Sequence, residues 1–353
     1  MSSSDPDADL RQAAALIEMR RYPEAALSAQ RVLGADPHNA RAACLLAQSA
    51  LGTTDYSQAL GAAESAIALQ PDWEWPHRLA SIACSALNRR ERAVIEAQEA
   101  VRLAPDQYTT HVRLGEALLI DGKLDTALEH SERALALAPG NADAHNLAGR
   151  VAHARGRNKE ATRAYLRALE IQPDHVPSHN NLARLKLQGG RFRGGAMADA
   201  ASGFATALRA DPHNDPVRRN LELAFTAFLR QTAYLVFLGA WIGVLTDPTS
   251  ASGHTSGVVH ILPLVVLALP ALYAARFLGR LTPPLRRFLL DAITHRVWLL
   301  VPSILVLVAA GCVLGEALTT SHLHSALGGV GAISAIAGRV LLLIYSRKQR
   351  KPR

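Results

Sequence analysis

The chain has 353 residues, 49% of them hydrophobic and 19% charged, with a formal net charge of +8. That length points to two domains rather than one small one, and the alanine- and leucine-rich composition suits helices and suits strands poorly. Three cysteines, Cys44, Cys84 and Cys312, lie far apart with no CxxC pair, which argues against a disulfide framework or a cysteine zinc site. Charge is uneven along the chain. Residues 1–149 carry 13 Lys+Arg against 20 Asp+Glu, residues 150–228 carry 13 against 7, and residues 229–353 carry 12 against 3. The last excess sits in a strongly apolar stretch. It reads as arginines flanking membrane spans rather than as a nucleic-acid surface, so no nucleic-acid partner is expected.

An internal period organises the first part of the chain. Pro37, Pro71, Pro105, Pro139 and Pro173 are each 34 residues apart, and Pro212 follows after 39. Twelve residues before each proline stands an alanine: Ala25, Ala59, Ala93, Ala127, Ala161 and Ala200. Five before it a small residue recurs, Val32, Ala66, Ala100, Ala134, Ala168 and Ala207, and four before it an aliphatic one, from Leu33 to Leu208. Each unit carries two short runs with helical apolar periodicity, and the proline closes the second helix or opens the next. One such hairpin cannot bury its own apolar face, so neighbouring units must stack. A Gly-rich run from Gly189 to Gly195 marks a longer turn between the two helices of the sixth unit. His77, His111, His145 and His179 share the period. Equivalent atoms of neighbouring repeats lie roughly 8–10 Å apart, against a ligand distance of about 2 Å at zinc, so these histidines read as packing groups and no metal site is expected.

The segments "YPEAALSAQRVLGADP", "KLDTALEHSERALALAP" and "HNNLARLKLQGG", with small residues at Ala47, Ser81, Gly115, Gly149 and Ala183, resemble the tetratricopeptide repeat family over about residues 6 to 222. The resemblance implies an all-α solenoid of about six helix-turn-helix repeats. It also implies that the first helix of each repeat lines a concave groove for a protein or peptide ligand. By register the groove residues are Arg78, Glu116, Asn146, Arg150, His153, Asn180, Arg184 and Gln188. Asparagines there can bracket an extended backbone, and arginines can grip carboxylates in a forked geometry, which makes an acidic peptide the candidate ligand. The family's chaperone-type carboxylate clamp is not carried over to these residues.

After Pro216 the segment "VRRNLELAFTAFLR" reads as an amphipathic helix that caps the solenoid. Four apolar segments follow, at 231–246, 257–275, 297–315 and 325–346, the first short for a span of about 20 residues. The 247–256 and 316–324 loops hold no Lys or Arg, whereas the 276–296 segment holds five arginines and the tail from 347 to 353 is basic. The alternation predicts a four-helix transmembrane domain at 223–346, with both termini cytoplasmic in a cell membrane, and with the lipid bilayer as a partner. The lack of a signal peptide ahead of the repeats agrees with this. Small residues four apart, such as Gly239 and Gly243 or Gly311 and Gly315, allow close helix packing within the chain or, as an alternative, between copies. His254, His260, His322 and His324 fall on the far side of the membrane by this topology and read as loop residues.

No phosphate loop, nucleophile elbow or HExxH motif occurs, and Asp247, Asp291 and Glu316 stand at span ends or in loops. The sequence therefore reads as a non-enzymatic adaptor without cofactors, in which the repeats recruit a partner and the spans hold it at the membrane. One alternative makes the four-span domain the active part, as a small channel, lipid-handling module or sensor under control of the repeats. Another has the repeats self-associate.

Overall fold

The computed structural model describes residues 6–189, 194–212 and 214–245, together with 272, 275, 277, 279–281, 334, 337 and 340. Among the described residues there are helices and no strands. Ten helices form five antiparallel pairs in phase with the sequence period: α1 (Pro6–Glu18) with α2 (Tyr22–Ala35), α3 (Ala40–Gly52) with α4 (Tyr56–Leu69), α5 (Glu74–Ala86) with α6 (Arg90–Leu103), α7 (Tyr108–Asp121) with α8 (Leu124–Leu137), and α9 (Ala142–Ala154) with α10 (Asn158–Ile171). α11 (Val176–Gly189) pairs with α12 (Gly194–Ala210), and α13 (Asp215–Leu245) follows. By internal contacts the chain divides into two units, Met1–Pro173 and Asp174–Arg353. The sixth helical pair thus falls in the second unit, with α13.

The helix boundaries follow from local chemistry. Asn39, Asp55 and Asn141 cap the starts of α3, α4 and α9, their side-chain oxygens accepting from the backbone N–H groups of Ala42, Gln58 and Ala144. The turn inside each of the five pairs of the first unit holds one residue in the left-handed region. Arg20, Thr54, Asn88, Gly122 and Gly156 supply it, with φ of 58°, 63°, 60°, 84° and 76°. Those positions are also 34 apart, and three of the five lack the glycine that the conformation favours. A β-branched residue bears most strain there. Thr54→Gly is expected to stabilise the chain by about 1 kcal/mol, read as a higher denaturant midpoint; an unchanged midpoint would refute the strain.

The alanine register explains the packing of the pairs. Ala25, Ala59, Ala127, Ala161 and Ala200 are fully buried and Ala93 is 1% exposed. They stand where the two helices of a pair approach, so a larger side chain would separate them. Buried alanines and leucines, with Cys44 and Cys84, join α3 to α9 in one continuous core. The Cys44 thiol within it is pushed up to about 12, chiefly by burial, and stays protonated.

In the second unit Phe204, Phe225 and Phe228 form the core of α12 and α13, and Phe277 closes it, stacked on Phe228 with ring centroids 3.8 Å apart. Leu281 joins the cluster, and Arg280 pairs with Asp199 on α12 at 3.5 Å. Phe277 and Leu281 belong to the basic 276–296 segment that the sequence reads only as a connection between spans.

α13 runs unbroken through both the expected capping helix and most of the first expected span. The segments 257–275, 297–315 and 325–346, the loops 247–256 and 316–324 with their histidines, Gly311, Gly315 and the basic tail lie outside the described residues, apart from the single positions given above. Among the described residues no helix is long and apolar enough to cross a membrane.

Candidate functional site

In the first unit, α1, α3, α5 and α7 each pack against the next first helix in the series, while α2, α4, α6 and α8 each pack against their own partner and the following first helix. The first helices therefore form the inner face of this unit. Five of the residues expected on a ligand surface lie on them: Arg78 on α5, Glu116 on α7, and Asn146, Arg150 and His153 on α9. Asn180, Arg184 and Gln188 lie on α11 in the second unit.

The structure joins Glu116 and Arg150. Arg150 Nη1 donates to Glu116 Oε1, although the two residues are 34 apart in sequence. Arg113 completes the group. Its Nη1 lies 3.3 Å from Glu116 Oε2, and its Nη2 donates to Ser85 Oγ at 3.2 Å. Arg113 is only 8% exposed, and its Nε has no hydrogen-bond partner among the described residues. Burial pulls its pKa below the ordinary arginine value; Glu116 opposes that and Arg150 adds to it. One carboxylate thus stands between two guanidiniums, leaving a net positive charge on a partly closed surface. On α5, Arg78 Nε donates to Glu74 Oε2 on its own helix at 3.0 Å.

The other expected residues are placed differently. Asn146 is 5% exposed. α9 packs against α7, α8 and α10, and that packing covers it, so its amide does not offer an open bracket for a peptide backbone. His153 Nδ1 lies 3.1 Å from Asn158 Oδ1 at the start of α10, which ties it to its own repeat. Asn180 Oδ1 accepts from Asn220 Nδ2 on α13 at 2.8 Å. Arg184 and Gln188 are exposed.

Sequence reasoning missed Arg113. The signal was present: Leu45, Leu79 and Leu147 occupy the same place in neighbouring repeats, so a guanidinium stands at a leucine register. It also missed what the periodic histidines touch. Nε2 of His77, His111 and His145 lies 3.2, 2.8 and 2.9 Å from the carbonyl oxygens of Pro71, Pro105 and Pro139. A carbonyl only accepts, so each Nε2 carries a proton and ties the first helix to the turn before it.

Residues 10–72 and 106–174 match family models described as tetratricopeptide repeat, and the chain carries tetratricopeptide repeats. No match is found among curated proteins. Among solved structures, the chain is similar to TTC0263, a thermophilic tetratricopeptide-repeat protein of Thermus thermophilus, at 24% identity, over 52% of this chain and 100% of that one, with a TM-score of 0.49. Similarity to the Cut9–Hcn1 hetero-tetramer of the APC/C is 17% identity over 62% of this chain and 42% of that one, with a TM-score of 0.50. YrrB, a repeat protein described as having an unusual peptide-binding site, is 22% identical over 50% of this chain and 91% of that one, with a TM-score of 0.38. Likeness at these identities concerns the fold alone.

Proposed function

We propose that this protein is a non-enzymatic adaptor whose repeats recruit a protein or peptide partner on the inner face of the first helices, and whose C-terminal part anchors that complex to a membrane. The observation that carries the first half is the group of Arg113, Glu116 and Arg150. Two guanidiniums face one carboxylate, and one guanidinium is buried with an unpartnered nitrogen. Such a group has charge to spare for an acidic side chain, and desolvated arginines make strong forked contacts with carboxylates. Arg184, on α11 in the second unit, is a separate exposed arginine of the same chemistry. The second half rests on the four apolar segments and on the alternation of basic and uncharged connections. On this reading both termini are cytoplasmic.

Both halves can be tested. Full-length protein solubilised gently from its native cells is expected to co-purify with a partner that Arg150→Glu with Arg184→Glu loses, while the helical content of the two forms stays equal. Retention of the same partner by the variant would remove these residues from the contact. Alkaline extraction of membranes tests the anchor: the chain is expected to stay in the pellet, and release into the supernatant would refute it.

A further inference from the structure

His77 and His111 occupy the same place in consecutive repeats, and each meets a residue 19 positions on, across its helical pair. His77 Nδ1 lies 2.8 Å from Glu96 Oε2. His111 Nδ1 lies 3.0 Å from His130 Nδ1. Both first histidines are buried, at 7% and 6% exposure, and both hold a proline carbonyl through Nε2. The proton inventory follows. His77 has an acceptor at each nitrogen, so the pair is complete only when both carry protons and the ring is charged. His111 gives its Nε2 proton to Pro105, so in the neutral pair its Nδ1 is a lone pair that accepts from His130 Nδ1, and with one added proton the same bond runs the other way, to a His130 that keeps its proton on Nε2. The two rings lie at 25° with centroids 5.2 Å apart, close to coplanar and edge to edge, as a direct N–H···N bond requires. When both rings are charged, two N–H groups face each other and the bond is lost.

We propose that the α7–α8 pair is an acid-sensitive latch, held by the N–H···N bond between His111 and His130 and opened when both rings are charged, while the preceding α5–α6 pair is tightened by the same acidification. The neighbouring charges act consistently with this. Burial, then His111, lower the pKa of His130, and Glu129 on α8 opposes them. The hydrogen bond to Glu96 raises that of His77 against its burial, with Glu99 adding to the rise. His145 on α9 is tied to the Pro139 carbonyl, and the Arg133–Asp106 ion pair lies beside the turn before α7. The signs are opposite. A lowered histidine contributes stability that is complete above the ordinary histidine value and is lost as pH falls through the folded one. A raised histidine contributes stability that is complete below the ordinary value and is lost as pH rises through the folded one. α7 also carries Glu116, so opening the latch would loosen the ion group on the inner face; that consequence alone rests on the adaptor reading.

Hydrogen exchange of the full-length chain at pH 7.5 and 5.5, corrected for the intrinsic pH dependence of amide exchange, reads the helices without reference to any partner. One proton refused by the folded pair but accepted by the unfolded chain near 6.5 corresponds to about a tenfold loss of protection in α7 and α8 over that interval. No loss, or a gain, is expected in α5 and α6. His130→Glu recreates the His77–Glu96 pair in the next repeat and should abolish or reverse the loss. His130→Gln, whose amide can turn either its oxygen or its nitrogen to His111, should abolish it as well, and serves if the first variant folds poorly. Equal pH response of the two helical pairs in the native chain, or a loss that persists in both variants, would overturn the latch.

Discussion

Gly149→Ala is expected to destabilise the chain by about 2 kcal/mol, although alanine is the better helix former. Gly149 lies on α9, and a Cβ there would come within 2.6 Å of Tyr165 Cδ1 on α10. The ring cannot yield, because Tyr165 is 1% exposed and is among the largest fully buried side chains of the described residues. The cost is thus steric and local to one helical pair. It should vanish when the ring is removed: in a Tyr165→Leu background, Gly149→Ala should be neutral or stabilising, since alanine is favoured over glycine in a helix by about 1 kcal/mol. Denaturant midpoints of the four forms give the coupling. Additive effects would show that glycine is needed here for some reason other than the ring.

Glu116→Ala carries the other large expected effect, a loss of about 3 kcal/mol. It removes the carboxylate from between Arg113 and Arg150 and leaves the Arg113 guanidinium buried with only Ser85 for a partner. Removing one member of a buried ion pair costs more than removing both. Arg113→Leu added to Glu116→Ala should therefore recover most of the loss, and leucine is what neighbouring repeats carry at that register. A double variant no more stable than Glu116→Ala alone would mean that the Arg113 charge is not what Glu116 compensates.

The repeats were legible because packing constrains them identically each time. A proline every 34 residues and an alanine twelve before it are what two close helices and a fixed turn require, and those alanines are buried as the spacing implies. The left-handed turn residue was not legible at Arg20, Thr54 and Asn88, because the fold imposes the conformation there without the glycine that would announce it. Register placed Glu116 and Arg150 on first helices but could not show that they bind each other, because the contact joins two repeats. Asn146 was expected to be open and is covered, since periodicity gives the face of a helix and not how closely the next helix approaches. The tie from Asn180 to Asn220 spans 40 residues and leaves no local signal. Phe277 was unreadable for the same reason: nothing in a basic connection shows that one of its side chains closes a core 49 residues upstream, at Phe228.

The central claim, that the inner face of the first helices is where a partner sits, is tested most directly by site-specific photo-crosslinking in native cells. A photoreactive residue would replace Arg78 or Arg150 on first helices and, as controls, Arg163 or Arg167, exposed on α10. The account predicts that one partner is captured from positions 78 and 150 and not from 163 or 167. Capture of that partner only from the α10 positions, or equally from all four, would contradict it.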